Sequence, residues 1–125
     1  MVPARSIKTY RDLLVWQKSM DLVTEIYRLS KSFPQDELYG LSAQIRRSAV
    51  SVPTNIAEGY GRQSKQDYLR FLKMASGSLY ELQTQIEISQ KLSYISKDDY
   101  EVIFNRAKEI ERMLSSMIRK VENSC

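Results

Sequence analysis

Apolar residues recur along this chain in steps of three and four, and this spacing constrains its fold more than any other feature. Near the end of the chain the two steps alternate without interruption, through Tyr100, Ile103, Ala107, Ile110, Leu114, Met117 and Val121. Residues three or four apart lie on the same face of an α-helix. The spacing therefore predicts an amphipathic helix that packs along its length, at a shallow angle, against other helices.

Three earlier segments show the same periodicity. The first stripe consists of Leu13, Trp16, Met20, Val23 and Tyr27, with Ile26 and Leu29 at its border. The second consists of Leu38, Leu41, Ile45, Ser48 and Val52. The third consists of Leu72, Ala75, Leu79, Leu82 and Ile86. No segment alternates apolar and polar residues for long enough to form a strand, so the chain is predicted to be all-α.

Helix starts are marked by hydroxyl residues that stand three positions before a carboxylate. The pairs are Thr9 with Asp12, Ser64 with Asp67, and Ser96 with Asp99. The hydroxyl oxygen accepts a hydrogen bond from a free N–H group of the first turn, and the carboxylate favours the positive end of the helix. Each pair predicts that a helix begins just after its hydroxyl residue.

Pro53 interrupts the second periodic segment. A proline inside a helix removes one backbone hydrogen bond and costs about 3 kcal/mol, yet Ile56 and Ala57 continue the apolar face beyond it. We therefore predict a single helix with a kink of more than about 20° at Pro53. The hydroxyls of Ser51 and Thr54 are predicted to bond backbone groups that the proline frees.

These signals predict one domain over residues 1–125, with helices at about 10–32, 36–59, 64–93 and 97–122. Gly59 and Gly61 are predicted to end the second helix in the left-handed backbone conformation that glycine adopts readily. Because the connections are short, sequential helices are predicted to be antiparallel neighbours. The predicted fold is an up-down-up-down four-helix bundle.

Catalytic chemistry finds little support in the sequence. The chain has no histidine, which is the commonest general base and the commonest metal ligand. Its single cysteine, Cys125, has no neighbouring base to activate a thiolate. The segment GYGR at residues 59–62 lacks the strand and the GK[ST] ending of a phosphate-binding loop, so a glycine turn is the favoured interpretation. We predict a protein that is not an enzyme and has no cofactor and no metal site.

The sequence also bears on cellular location. Its longest apolar runs span only a few residues, too few to cross a membrane, and its first residues contain no apolar stretch of the signal-peptide type. A single cysteine cannot form a disulfide within the chain. These features favour the cytoplasm and predict no contact with a membrane.

Positive charge is concentrated between residues 44 and 73. Six bases lie there with only Glu58 and Asp67 as acids, and this excess equals the net charge of +4 of the whole chain. The six bases are Arg46, Arg47, Arg62, Lys65, Arg70 and Lys73. Two interpretations are open. The bases form either an ordinary solvated face or a site for an anionic partner, since clustered bases attract polyanions.

Tyr60 and Tyr68 flank the turn in the middle of this basic segment. Aromatic rings beside positive charge stack on the bases of single-stranded nucleic acid, which makes RNA or DNA a candidate partner. Tyrosine is also enriched at protein interfaces. Packing or subunit contact is therefore the alternative role for both side chains.

Three stretches carry a resemblance to a known family: LLVWQKSMDLVTEIYRLSKSFPQDELYGL, QIRRSAVSVPTNIAEGYGR and YLRFLKMASGSLYELQTQIEIS. Together they resemble the four-helix-bundle proteins encoded by intervening sequences in bacterial 23S rRNA genes, and SVPTNIAEG is the most specific block. The resemblance implies a four-helix bundle and, as in related proteins, a homopentamer. A similar bundle is the accessory protein of diversity-generating retroelements, where a basic pentamer works with a reverse transcriptase and nucleic acid.

A homo-oligomer implies further roles for the central segment. The kinked second helix is expected to tilt toward a neighbouring subunit, and its small residues permit close backbone approach at Ser48, Ala49, Ser51 and Ala57. Glu58 is expected either to pair with Arg47 or Arg46 of the same or another subunit, or to be solvated. Further subunit contact is expected at apolar residues partly off the main stripes, namely Leu14, Val15, Leu22 and Tyr39.

The leading hypothesis is a non-catalytic oligomer that binds nucleic acid, or a nucleoprotein, through residues 44–73. The alternative is a protein–protein scaffold or structural bundle in which the bases serve solubility and subunit contacts. An enzyme is the third class, and the absence of the usual site chemistry argues against it.

Overall fold

The computed structural model describes residues 6–124 and is all-α over that range, with no strand among them. Cys125, the cysteine considered above, lies outside the described residues. The four helices are α1 (Leu14–Ser30), α2 (Leu41–Tyr60), α3 (Lys65–Lys91) and α4 (Lys97–Glu122). The predicted all-α bundle is confirmed.

All four helices contribute to one apolar core. Its fully buried side chains include Leu22 from α1, Ile56 from α2, Leu79 from α3 and Ile110 from α4. Burying each such side chain stabilises the fold by about 1.5–3 kcal/mol relative to leaving it exposed. The most extensive contact between two helices is that of α2 with α3.

Hydrogen bonds show in which direction α2 and α3 run past each other. Ser48 Oγ donates to Gln85 Oε1 at 2.6 Å, and Ser78 Oγ bonds Ser51 Oγ at 2.9 Å. Residue numbers thus rise along one helix as they fall along the other, which is the order of contacts between antiparallel neighbours. Because these hydroxyl and amide groups are buried or half-buried, their bonds also fix the register of the two helices.

The apolar stripe predicted for α1 is displaced from the true one: its border residues Ile26 and Leu29 are buried, whereas Leu13, Trp16 and Val23 only pack against the edge of the core. The core side of α1 is formed by Val15, Ser19, Leu22, Ile26 and Leu29. Met20 and Tyr27, predicted to face the core, are 40% and 41% exposed. Two stripes with helical spacing run side by side on α1, and the core takes the one with branched aliphatic residues. Val15 and Leu22 are therefore core residues and not the subunit contacts expected of them, whereas Leu14 and Tyr39 are exposed.

The predicted start signal at Thr9 caps only a short turn. Its hydroxyl accepts a hydrogen bond from Arg11 N at 3.1 Å, and the Asp12 carboxylate accepts one from Thr9 N at 3.1 Å. A 3₁₀ turn follows at Tyr10–Asp12, and Leu13 is extended, so α1 begins at Leu14 and not near residue 10.

The other two start signals cap true α-helices. Ser64 Oγ accepts a hydrogen bond from Asp67 N at 3.0 Å, and Ser96 Oγ accepts one from Asp99 N at 3.0 Å. Each hydroxyl thereby satisfies one of the free N–H groups of a first turn. The helices begin at the next residue in both cases, Lys65 and Lys97.

α2 begins at Leu41 and not near residue 36, because a second 3₁₀ turn at Gln35–Glu37 precedes it. The Glu37 carboxylate accepts hydrogen bonds from Leu41 N at 3.0 Å and from the Tyr94 hydroxyl at 2.8 Å. The bond from Leu41 N, and then that from Tyr94, lowers the pKa of Glu37. One carboxylate thus joins the α1–α2 connection to the α3–α4 connection.

α2 continues through Pro53 as one helix, with helical residues on both sides. Thr54 Oγ1 donates to the backbone oxygen of Val50 at 2.8 Å, but the carbonyl that lacks its N–H partner because of Pro53 is that of Ala49, four residues earlier. The Ser51 hydroxyl bonds the side chains of Asn55 and Ser78, so neither hydroxyl bonds the freed group as predicted. Asn55 Nδ2 donates a hydrogen bond to the backbone oxygen of Ser51 at 2.8 Å. No sequence pattern predicted this contact. The angle of the kink at Pro53 stays a prediction.

The predicted glycine ending of α2 is correct in that Gly61 is the C-cap, but wrong for Gly59 and for the left-handed conformation. Gly59 lies inside the helix, and Gly61 has a φ of −78°, which is right-handed. Gly59 serves close packing instead, because a Cβ there would stand 2.8 Å from Phe71 Cβ and 3.1 Å from Tyr68 Cδ1. Glycine is required at this position so that α2 and α3 can approach each other.

Gly59→Ala is expected to destabilise the protein by about 1–3 kcal/mol, because the added methyl group forces α2 and α3 apart. Gly77→Ala is the matched control. A Cβ at Gly77 meets nothing within 4 Å, so this change is expected to stabilise α3 by about 0.5–1 kcal/mol. Urea denaturation measures both free energies of unfolding. Equal stability of the two variants would contradict the assignment of Gly59.

Glu37→Gln is expected to lower stability at neutral pH and to matter progressively less in acid. A carboxylate whose pKa is lowered by folding contributes stability above its unfolded pKa, about 4.3, and loses that contribution as the pH falls through the folded value. Melting temperatures of wild type and variant should therefore converge below about pH 4. Asp36→Asn, at the neighbouring exposed carboxylate, is the control and should show no such convergence.

Candidate functional site

The structure divides the six candidate bases into two groups. Arg62, Lys65, Arg70 and Lys73 lie together in the α2–α3 turn and the first turns of α3, and all four are exposed. We call these four residues the basic end. Arg46 and Arg47 lie near the start of α2, roughly 22 Å from Arg62 along the helix axis at about 1.5 Å per residue. The six bases predicted as one cluster are therefore not brought together.

Arg46 has contacts of its own at the opposite end of the bundle. Its Nε donates to Ser30 Oγ at 2.7 Å, and its guanidinium lies 5.0 Å from the centroid of the Tyr27 ring. These contacts join α2 to the last turns of α1. Arg46 therefore acts within the fold, whereas Arg47 is exposed.

Two arginines of the basic end meet at one aromatic ring. The guanidinium carbons of Arg62 and Arg70 lie 4.6 Å and 4.7 Å from the centroid of the Phe71 ring. Phe71 is only 6% exposed, but it is not part of the apolar core cluster. Phe71 gives no signal of a site in the sequence, because its ring carries no charge and marks no break in the periodicity.

The two lysines of the basic end reach across to α4. Lys65 Nζ donates to the backbone oxygen of Ser124 at 2.6 Å, and Lys73 Nζ lies 3.4 Å from Glu122 Oε2. The last turn of α4 also carries Arg119 and Lys120. These two bases were missed, although a predicted antiparallel α4 brings its last turn to this end of the bundle.

Acidic partners offset part of this positive charge. Arg70 lies 3.5 Å from Asp67 within α3, and Glu122 approaches Lys73 from a part of the chain that the charge count had treated as balanced. The side chains of both pairs are 43% to 59% exposed, and exposed pairs of this kind contribute only about 0–1 kcal/mol. The basic end thus keeps bases that are accessible to solvent and to ligands.

Tyr60 and Tyr68 pack against each other. Their ring centroids are 6.4 Å apart and the ring planes meet at 89°, an edge-to-face arrangement. Tyr68 also packs against the apolar core. Burial, and then the neighbouring Tyr60, raises the pKa of Tyr68. Both rings are half-buried, so packing within the subunit is one role that they already fulfil.

Glu58 forms no ion pair with Arg47 or Arg46 of the same chain. Glu58 and Arg47 stand eleven residues apart on one helix, which separates them by about 16 Å along its axis. Of the small residues expected to face a neighbouring subunit, Ser48 and Ala49 are buried within the chain. Glu58 is exposed, so the solvated state and a contact with another subunit are both left open.

An apolar groove of about 440 Å³ runs between α1 and α2. Side chains at the edge of the α1 core face form one wall, where Met20 is exposed while Trp16 and Val23 also pack against the core, and α2 around Pro53 forms the other. Its lining consists of Tyr10, Trp16, Met20, Val23, Val50, Pro53, Thr54, Ala57 and Glu58. Glu58 is exposed at this groove, so the groove combines apolar surface with one carboxylate.

A metal site and a membrane-spanning helix are two further features that the described residues can be examined for. Among residues 6–124, no group of three or more histidine, cysteine, aspartate or glutamate side chains is arranged to hold a metal ion. None of the helices in this range has the length and apolar character needed to span a bilayer.

Comparison with known proteins gives one family. The model of the 23S rRNA-intervening sequence protein family matches residues 11–116, a range that includes the whole basic end. The crystal structure of a protein with unknown function from the S23 ribosomal protein family, from Bacteroides thetaiotaomicron VPI-5482, is similar to this chain with a TM-score of 0.79 and 31% sequence identity. The similarity covers 84% of this chain and 98% of that chain. No curated protein matches.

Proposed function

The chain belongs to the 23S rRNA-intervening sequence protein family, and from this premise we propose that it is a non-catalytic oligomer that binds RNA or DNA through its basic end. The proposal includes no cofactor, and it keeps the cytoplasmic location that the sequence favours. Arg46 and Arg47 are left out of the binding surface, because they lie at the other end of α2.

The observation that carries the proposal is the convergence of four exposed bases at one end of the bundle, beside Arg119 and Lys120 of α4. Bases so placed create a local positive potential that raises the association rate of polyanions. Lysine and arginine contacts to phosphates release condensed counterions, and this release supplies most of the affinity of sequence-independent binding. Contacts of this kind position a protein and do not read bases, so we propose binding with little sequence preference.

The α1–α2 groove supports the oligomeric part of the proposal. Apolar side chains that line an open groove on one subunit are suited to cover by the surface of another. A second copy of the chain is the proposed occupant, and the resemblance to pentameric proteins makes a closed ring of five the proposed assembly. Such a ring carries the basic end five times, so weak contacts by single subunits add through avidity.

A protein–protein scaffold is the alternative function. The same groove favours it, because an apolar lining with a single carboxylate is suited to a protein partner and not to a phosphate backbone. In that case the bases at the end of the bundle serve solubility alone. Salt dependence of nucleic-acid binding separates the two functions.

Changing the four bases of the basic end to glutamine is expected to weaken binding of a labelled single-stranded RNA or DNA. The log–log slope of affinity against salt should also become less negative, by roughly 0.7–0.9 for each lost phosphate contact. The matched control removes four exposed bases located elsewhere, namely Lys31, Arg47, Lys91 and Lys97. Fluorescence anisotropy at two salt concentrations measures both. If the affinity and the slope of the variant without the basic end equal those of wild type, the scaffold function is favoured.

Val50→Glu is expected to disrupt the oligomer, because it puts a charge into the apolar α1–α2 groove. Val102→Glu is the matched control. The two valines are 39% and 53% exposed, but Val102 lies in α4 away from the groove. Light scattering at micromolar concentration should give a multiple of the 14.6 kDa chain mass for wild type and control, and the monomer mass for Val50→Glu. A monomeric wild type would rule out the oligomer, and an assembled Val50→Glu would exclude the groove as its interface.

A further inference from the structure

We infer that Phe71 is a positioning residue: its ring holds Arg62 and Arg70 as a paired guanidinium site for one phosphate group of a nucleic-acid backbone. This inference rests on the proposed function, since it names the atoms of the basic end that make the closest phosphate contact. It goes beyond that function because Phe71 carries no charge and would not itself touch the phosphate.

The geometry begins with two distances to one ring. The guanidinium carbons of Arg62 and Arg70 lie 4.6 Å and 4.7 Å from the Phe71 centroid. The two carbons are therefore no more than about 9 Å apart. The α2–α3 turn supplies one arginine and the second turn of α3 supplies the other, so the ring is the element that they share.

The packing of Phe71 differs from that of a core residue. Its neighbour Leu72 and nearby Ala75 are completely buried within the apolar core cluster, whereas Phe71 is buried outside that cluster. Gly59 packs against its Cβ on the side of α2. Phe71 thus meets α2 through its Cβ and the two guanidinium groups through its ring, so one side chain connects the helix packing to the charged surface.

The two guanidinium groups carry like charges within about 9 Å of each other, and an anion between them offsets their repulsion. Arg70 has an exposed partner in Asp67, at 3.5 Å. Arg62 has no acidic partner among the described residues. A phosphate group accepts two parallel N–H bonds from each guanidinium. It is therefore the ligand that this pair of planar donors suits best.

The Phe71 ring favours phosphate binding mainly because it restricts the two arginine side chains before the phosphate binds. An arginine side chain loses rotational freedom when it binds a phosphate, and each immobilised side chain of this kind weakens association. A guanidinium already held over an aromatic face has lost part of that freedom beforehand. Lysine cannot substitute, because its ammonium group is a point charge with a strong hydration shell and no planar fork.

The first test is Phe71→Leu, which keeps an apolar side chain of similar depth but removes the ring. We expect the affinity for a 20-nucleotide labelled single-stranded RNA to fall about fivefold or more, with the charge of the protein unchanged. Phe104→Leu is the matched control, because Phe104 stacks on Tyr100 at 5.2 Å and meets no guanidinium in the described structure. It should bind like wild type, and Phe71→Tyr, which keeps a ring, should also retain the affinity.

A second pair of variants separates positioning from stability. Arg62→Lys with Arg70→Lys keeps both charges and leaves Phe71 in place, and we expect about the same loss of affinity as for Phe71→Leu. Adding Phe71→Leu to this double variant should then cause little further loss, because the ring has no guanidinium left to hold. Two independent, additive losses would show that Phe71 acts through general stability and would overturn the inference.

The outcomes distinguish this inference from the proposed function. If the four-glutamine variant loses affinity while Phe71→Leu binds RNA like wild type, the positioning role is wrong and the proposed function stands. If neither loses affinity, both are wrong. If circular dichroism shows that Phe71→Leu does not fold, the variant with Arg62→Lys and Arg70→Lys is the deciding test. An affinity of this variant equal to that of wild type would overturn the inference. Equal competition by polyglutamate of matched charge would overturn the preference for phosphate.

Discussion

The close packing of α2 against α3 is the contact on which most other features of the molecule depend. Gly59 lets the two backbones approach, and the bonds of Ser48 to Gln85 and of Ser51 to Ser78 fix their register. A register fixed in this way leaves only a tight turn between the helices, at residues 61–64. That turn carries Arg62 onto the ring of Phe71. The position of the charged side chains therefore follows from the packing of α2 against α3.

The contrast between α4 and α1 shows what the sequence can and cannot predict about the fold. Along α4 only one apolar stripe repeats without interruption, and the other apolar residues form no second stripe, so the sequence shows which face of α4 is buried. Along α1 the consecutive apolar residues from Leu13 to Trp16 start two stripes with equal spacing. Which of the two stripes is buried depends on how α1 packs against α2 and α4, and the spacing does not show this. The hydroxyl–carboxylate pairs show the same limit. The pattern at Thr9 is equivalent to those at Ser64 and Ser96, yet it caps a short turn because Leu13 is extended.

The candidate site was predictable where bases that are close in the sequence are also close in space. Arg62, Lys65, Arg70 and Lys73 are neighbours in sequence and also in space. Arg46 and Arg47 were grouped with them only because a count along the chain ignores the length of α2. Glu122 and the bases of the last turn of α4 were overlooked for the opposite reason, since they are remote in sequence. Met20, predicted for the core, is instead exposed and lines the α1–α2 groove.

The bond from Lys65 to the backbone of Ser124 has a consequence for how the molecule can be handled in experiments. It holds the end of α4 at the basic end of the bundle, and the start of α1 lies there too, because Leu14 and Lys120 border the same cavity. A fusion partner attached directly before α1 or directly after Ser124 therefore stands beside the bases. A circular permutation that links the end of α4 to the start of α1, and opens the chain between α3 and α4 around Leu92–Ile95, moves any attachment to the far end and leaves the charged surface uncovered.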